Sequence, residues 1–331
     1  MSEPRIRELI DLLKQAPDEV FLQPHNVPDP DAIAASFGLQ VLLKNFGIET
    51  VIVYEQELAK ANSLRMLDIF GIEMKRPADV ETLGAEDWAV LVDVQKENAN
   101  LTDLITDEVA CVDHHTKNGF DDYRFKDIRP EYGACSTIVE SYWNEVDLTP
   151  PTAVATALIY GIRSDTDGLS RGVSIEDIEA YFRLYADADM SRIAELDANS
   201  IKLSVLKNYS KAFDTVEVYG KTGFLSLESN DDSLLGSASD IFLSVENVDI
   251  VVAYAIRDNG LKYSVRSIDE TVQADHLVRH IVAGLGVGGG HRTMAGGFIP
   301  ADRFPADRSY ETFTRVRTID YIEGDGLNGR R

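Results

Sequence analysis

Trp88-Ala89-Val90-Leu91-Val92-Asp93-Val94 is an apolar run interrupted by one carboxylate. A strand with one wet face alternates apolar and polar residues. An unbroken run marks a strand covered on both faces, as in a parallel sheet. The carboxylate is the odd residue, because five apolar positions precede it and a buried unpaired charge is costly. Working outward, residues 19–23, 50–54 and 109–112 read as further short strands, the first closed by Pro24. Apolar residues at helical spacing predict helices over 3–15, 31–46, 57–70, 136–146, 152–162 and 174–185, with Gly47 as the C-cap of the second. Strands and helices alternating at these lengths imply an α/β fold with a doubly wound, mostly parallel sheet.

At 331 residues the chain suits two domains, each with its own core. The first takes residues 1–189. Residues 190–213 read as one long linker helix. Residues 214–331 form a second, smaller mixed α/β domain across a cleft, with strands at 223–227, 249–256 and 261–266. Asp258-Asn259-Gly260 is a hairpin turn between the last two. A helix over 272–285 leads into the glycine cluster at 286–290, and the tail beyond about residue 318 is expected to fray.

With 44% hydrophobic and 27% charged residues the composition is that of a globular protein. No apolar run approaches the ~20 residues that span a bilayer, so no membrane partner is expected. Ser2-Glu3-Pro4-Arg5 does not begin a secretory signal. Cys111 and Cys135 are too few for a disulfide framework and read as small buried residues in a reducing cytoplasm. The net charge of −24 opposes long duplex nucleic acid, whose affinity rests on Lys and Arg, but permits a small anion held in a cleft.

Three acidic or histidine-bearing segments fall at the C-terminal ends of predicted strands, the edge where open α/β sheets bind ligands. They are His25-Asn26-Val27-Pro28-Asp29-Pro30-Asp31, the isolated Asp93, and Asp113-His114-His115. Asp165, in Arg163-Ser164-Asp165-Thr166-Asp167, follows a helix and could reach the same edge. Taken singly, Asp29 and Asp31 read as turn and cap residues. His114 and His115, adjacent on a strand end, are expected to point to opposite sides, so that at most one shares Asp93's ligand. Together His25, Asp29, Asp31, Asp93, His114 and Asp165 offer imidazole and carboxylate donors without thiolate. That set suits Mn²⁺, with Mg²⁺ or Co²⁺ as substitutes, and six donors are about right for two ions sharing a bridging carboxylate.

These residues resemble the four motifs of the DHH phosphoesterase superfamily: His25-x3-Asp29-x-Asp31, Asp93, Asp113-His114-His115 and Asp165. Gly288-Gly289-Gly290-His291 resembles the glycine-histidine motif of the associated DHHA1 domain, although a triple glycine by itself reads as a flexible turn. Gly133-Ala134-Cys135-Ser136-Thr137 resembles the family's small-residue helix start. The resemblance implies His25 and Asp29 on one metal, Asp31, His114 and Asp165 on the other, and Asp93 between them. It implies that His115 contacts the scissile phosphate or its leaving oxygen, and that Asp113 orients its neighbours. It puts Arg266, Gly289, Gly290 and His291 on substrate phosphate. Residues 251–292 hold five Lys/Arg (257, 262, 266, 279, 292) against four acids (258, 269, 270, 275), which escapes the general negative charge.

In layout the chain is similar to the bacterial nano-RNase and 3′-phosphoadenosine-5′-phosphate phosphatase branch. The activity implied is hydrolysis of short single-stranded oligonucleotides or nucleotide 3′,5′-bisphosphates by a two-metal-activated hydroxide. Alternatives are a phosphatase for cyclic-dinucleotide-derived dinucleotides or polyphosphate, and a non-catalytic nucleotide sensor. A homodimer is compatible with either. The branch usually has Gly-Asp-Thr-Gly where this chain has Ser164-Asp165-Thr166-Asp167, and Arg292-Thr293-Met294 also departs from it.

Overall fold

The computed structural model describes residues 5–58, 61–117, 119, 122–198, 203–228 and 232–324. The chain divides into two compact units, Met1–Ser200 and Ile201–Arg331. In the first, α1 (Arg5–Leu13) precedes β1 (Val20–Pro24), α2 (Pro30–Lys44), β2 (Thr50–Val53), α3 (Ala61–Phe70) and β3 (Met74–Lys75). Then follow β4 (Trp88–Val92), β5 (Asp107–Asp113), β6 (Phe125–Ile128), α4 (Cys135–Glu145), α5 (Thr152–Asp165), α6 (Ile175–Tyr185) and α7 (Met190–Asp197). The strands form one parallel sheet in the order β3-β2-β1-β4-β5-β6. The order reverses between β1 and β4, and Pro24 pairs with Val92, so the segments leaving these strands emerge side by side.

Every residue of β4 is buried, as its unbroken apolar run requires. One sheet face, including Leu22, Ile52, Val90 and Val112, joins a large core fed by all seven helices, from Ile6 of α1 to Ile193 of α7. The other face buries Leu91 and Cys111 under Leu101 and Tyr123, which come from connecting segments rather than helices. Two helix starts matter for the site. Asp29 caps α2, its carboxylate accepting from the N–H groups of Asp31 and Ala32, with Pro30 opening the helix. Ser174 and Asp177 form a capping box on α6.

The expected helix over 190–213 is two helices. α7 ends at Asp197 because Ala198 is extended (ψ 147°), and α8 (Leu203–Phe213) starts afresh. The second unit continues with β7 (Glu217–Tyr219), β8 (Thr222–Leu227), α9 (Asp232–Leu243), β9 (Ile250–Arg257), β10 (Gly260–Ser267) and α10 (Ala274–Val282). It closes with β11 (Val287–Gly290), β12 (Met294–Pro300) and α11 (Tyr310–Glu323). Its sheet runs β11-β12-β10-β9-β8-β7, with only the β8–β9 pair parallel. α10 and α11 pack on one face through Leu277, Val278, Ile281, Phe313 and Tyr321. α8 and α9 contribute Tyr209, Leu235, Ala238 and Phe242 to a separate core.

Two expectations are corrected here. The glycine cluster is strand β11, paired residue by residue with β12. Residues beyond 318 do not fray at once: α11 runs to Glu323, with Thr318 and Tyr321 buried. Residues 325–331 lie outside the described residues. Among the described residues no helix is long and apolar enough to cross a membrane.

Candidate metal centre

Asp93 follows β4 directly and takes a left-handed backbone (φ 61°), while its N–H still bonds Val112 O at 2.9 Å. Such a φ strains a residue that carries a Cβ, Asp less than most, and it persists where the surroundings enforce it. The carboxylate is 2% exposed and has one oxygen toward each of two groups. Its Oδ2 lies 3.9 Å from His25 Nε2. Its Oδ1 lies 3.3 Å from His114 Nε2 and 3.6 Å from His115 Nδ1.

His25 leaves β1, and Asp29, the N-cap of α2, stands four residues on, with Oδ1 4.0 Å from His25 Nε2. Asp31, fully buried in the first turn of α2, has Oδ2 4.0 Å from His114 Nε2. Asp165 ends α5, which runs one turn further than the sequence suggested, and its Oδ2 is 3.4 Å from the same nitrogen. Donor atoms therefore converge in three groups: His25, Asp29 and Asp93; Asp31, His114 and Asp165; and Asp93, His114 and His115. The expectation that His114 and His115 diverge is wrong. Both follow the last strand residue, Asp113, so pleat alternation no longer governs them, and their rings stand 4.5 Å apart.

The contacts that hold these donors are not legible in the sequence, even where the residues themselves are. Cys135 and Ser136, at the start of α4, give Asp31 their backbone N–H groups (2.6 and 2.9 Å). Tyr132 O faces His114 Nδ1 at 3.2 Å, which leaves Nε2 for the carboxylates. The Asn100 side-chain amide lies 3.1 Å from His25 Nδ1 and so holds the ring with Nε2 toward Asp29 and Asp93. Gln95 donates to Asp113 Oδ2 at 2.6 Å, and Asp113 Oδ1 accepts from His115 Nδ1 (2.8 Å) and the His114 N–H. Asn98 and Asn100 line, with His25, Asp29, Asp93 and His115, a cavity of about 390 Å³, near the small end for ligand pockets. The cue available was the density of amides just after Asp93.

Burial, then the Asp165 carboxylate, pushes Asp31 up to about 7. Burial likewise raises Asp93. Burial works against charge on His114, yet Asp165, Asp93 and Asp31 outweigh it and hold its imidazolium up to about 12. His115 is raised by its hydrogen bond to Asp113; Asp113, despite burial, is held below the usual range by His115 and Gln95. The field that draws a proton to His114 is the field that would hold a divalent cation. Asp93 Oδ1 and His114 Nε2 are buried without a hydrogen-bond partner among the described residues, a cost that metal coordination would remove. The oxygen and imidazole donors fit two divalent ions.

The other expected residues lie in the second unit. Arg266 is buried, its Nε bonding Asp240 Oδ1 at 2.6 Å and its Nη1 bonding Ser264 Oγ at 3.0 Å. His291 sits in the β11–β12 turn, with its N–H on Met294 O at 2.7 Å. Gly290 has φ +151°, and an added Cβ would meet Ala295 Cα at 2.6 Å, so close strand approach demands this glycine. A Cβ on Gly289 would stand 3.6 Å from the Arg279 guanidinium, a neighbour unnoticed in the sequence.

Comparison with known proteins supplies the context. The protein MJ1633 of Methanocaldococcus jannaschii is 27% identical over 307 residues, which are 92% of this chain and 62% of that protein. The chain thus spans under two thirds of that relative's length. A probable manganese-dependent inorganic pyrophosphatase of Streptococcus pyogenes is 32% identical over 149 residues, 43% of this chain and 46% of that one. Among solved structures, an exopolyphosphatase-related protein from Bacteroides fragilis shares the fold with a TM-score of 0.70 at 18% identity, covering 96% of both chains. Residues 19–162 match the DHH family, N-terminal domain, and residues 221–308 match the DHHA1 domain. The first match takes in the strands and helices that carry every donor but Asp165, which follows it by one helical turn, and the second takes in Arg266 and the glycine strand. The chain thus carries a DHH family N-terminal domain followed by a DHHA1 domain.

Proposed function

We propose that the chain is a phosphoester hydrolase working with two divalent cations, Mn²⁺ foremost, on short oligonucleotides or nucleotide 3′,5′-bisphosphates. The observation that carries this reading is Asp93, whose two oxygens each face a separate donor group. His25 and Asp29 would hold one cation, Asp31, His114 and Asp165 the other, with Asp93 shared. Bound there, the cations would supply Lewis-acid activation of water and stabilisation of phosphoryl charge. His115, half exposed in the cavity wall and braced by Asp113, would give a hydrogen bond to a phosphoryl or leaving oxygen. Asn98 and Asn100 would meet the substrate across the same cavity.

Gly289, Gly290 and His291 would bind a further phosphate through backbone N–H groups and imidazole, with Arg279 adding charge. Arg266 enters this reading already bonded to Asp240, which an incoming anion would have to share. The net charge of −24 favours small substrates over long strands. A second reading, hydrolysis of pyrophosphate or polyphosphate, draws on the likeness to a pyrophosphatase over 149 residues. A panel of short oligoribonucleotides, adenosine 3′,5′-bisphosphate, pyrophosphate and polyphosphate with Mn²⁺ separates the two. Turnover of the first pair, abolished in Asp93→Ala, is the expected result. Hydrolysis of anhydrides alone would favour the second reading, and an Asp93→Ala protein of full activity would refute both.

A further inference from the structure

We infer that Asp177, which belongs to none of the donor groups, is a positioning residue for the Asp31–His114–Asp165 cation site alone. This inference rests on the two-cation reading above. Asp177 is fully buried at the third position of α6. Its carboxylate accepts four hydrogen bonds. Two come from the N–H and hydroxyl of Ser174 to Oδ2, both 2.7 Å, and belong to the capping box. The other two have no part in capping: Gly133 N–H reaches Oδ2 at 2.8 Å and Thr137 Oγ1 reaches Oδ1 at 2.6 Å, across 44 and 40 positions of chain.

Those two donors bracket the segment that orients the site. Between them Cys135 and Ser136 present their N–H groups to Asp31, and just before them Tyr132 presents its carbonyl to His114. Gly133 leaves no slack in the clamp. A Cβ there would stand 2.7 Å from Asp177 Oδ2, from Gly172 O and from Thr166 Cγ2, and Thr166 is Asp165's neighbour. Asp31 and His114 thus lean on a segment that Asp177 pins from outside, and Asp165 adjoins it through Thr166. His25 and Asp29 are instead set by Asn100 and by the start of α2. Residues behind metal ligands change affinity about 10- to 100-fold when lost. Here the loss would fall on one of two sites.

The test is calorimetric titration of the full chain, freed of metal, with Mn²⁺, alongside thermal unfolding. Wild type should bind two ions; binding of fewer would sink the two-cation reading itself. Given two, Asp177→Ala should weaken one site about 10- to 100-fold and leave the other within about twofold. Asp177→Asn keeps an acceptor for Gly133 and an amide for Thr137 and should restore the lost site. Gly133→Ala displaces the same segment and should reproduce the selective loss should Asp177→Ala fail to fold. Ser174→Ala removes the cap but not the clamp, so it should lower the melting temperature without moving either affinity. Equal weakening of both sites, or of neither, in the Asp177→Ala or Gly133→Ala protein overturns the assignment.

Discussion

Gly161→Ala offers a severe test of how tightly the Asp31 carboxylate is seated. Gly161 lies inside α5, where alanine would ordinarily stabilise a helix by about 1 kcal/mol. Here the added methyl would lie 2.3 Å from Ser136 Oγ and 2.9 Å from Asp31 Oδ1, against ordinary contact from 3.4 Å. Relief requires a displacement of about 1 Å at the hydroxyl and about half an ångström at the carboxylate, if the overlap sets the shift. Overpacking costs about 1–3 kcal/mol, so the net loss of stability should stay below about 2 kcal/mol. Function should suffer more. Productive geometry tolerates roughly 0.5 Å, and about 1 Å of misplacement costs on the order of a hundredfold in rate.

The expected outcome is a folded variant with Mn²⁺-dependent turnover reduced roughly 10- to 100-fold and weakened cation affinity. Ser136 Oγ is buried against the Asp31 carboxylate, whose charge it eases, without a well-formed hydrogen bond of its own. The double variant Gly161→Ala, Ser136→Ala should recover part of the loss, since the milder approaches to Asp31 Oδ1 (2.9 Å) and Ala34 Cβ (3.1 Å) are what remain. Turnover on the best substrate of the panel and unfolding in urea measure the two effects separately. Wild-type turnover in Gly161→Ala would show that the carboxylate has room to move, and the seating argument would fail.

Asn100→Ala and Gln95→Leu should each cost about 10- to 100-fold in Mn²⁺ affinity, because they hold His25 and Asp113; titration calorimetry reads this. Chelation should lower the melting temperature of the first unit, all donor groups lying there; free Mn²⁺ at a hundred times Kd should restore about 2.7 kcal/mol by mass action, visible by calorimetry with and without EDTA. Burial and the neighbouring Arg317 lower the pKa of His280 below its ordinary 6.5. Below that value the unfolded chain binds this proton more readily than the fold does, so the second unit should lose stability as pH falls toward about 5. His280→Gln should flatten that part of the slope in urea unfolding at pH about 5 and about 7.5.

What could be read from the residues alone follows from which contacts are local. The run ending in Asp93 announces a two-sided strand because each residue's environment repeats its neighbour's, and β4 is buried throughout. Period and turn chemistry likewise located β9, the Asp258-Asn259-Gly260 hairpin and α2. Strand β11 was hidden because its glycines carry no hydrophobic signal and owe their conformation to β12. The break after Asp197 leaves the helical pattern of residues 190–213 undisturbed, so periodicity could not reveal it. At the site, motif residues were legible as types and spacings. Asn100, Gln95, Tyr132 and Asp177 were not, since each acts through a partner far along the chain. The divergence expected of His114 and His115 failed because a rule for strands was extended past a strand's last residue.

The donors leave the ribosome in an order that matters. His25 emerges early, and Asp165, closing α5, emerges last. At about 5–20 residues per second, on the order of ten seconds separates them. His25, Asp29 and Asp93 are all made within the first 93 residues, whereas the group of Asp31, His114 and Asp165 stays incomplete until α5 is finished. Of the two groups, the one that needs Asp165 is therefore the last to become able to receive an ion during synthesis.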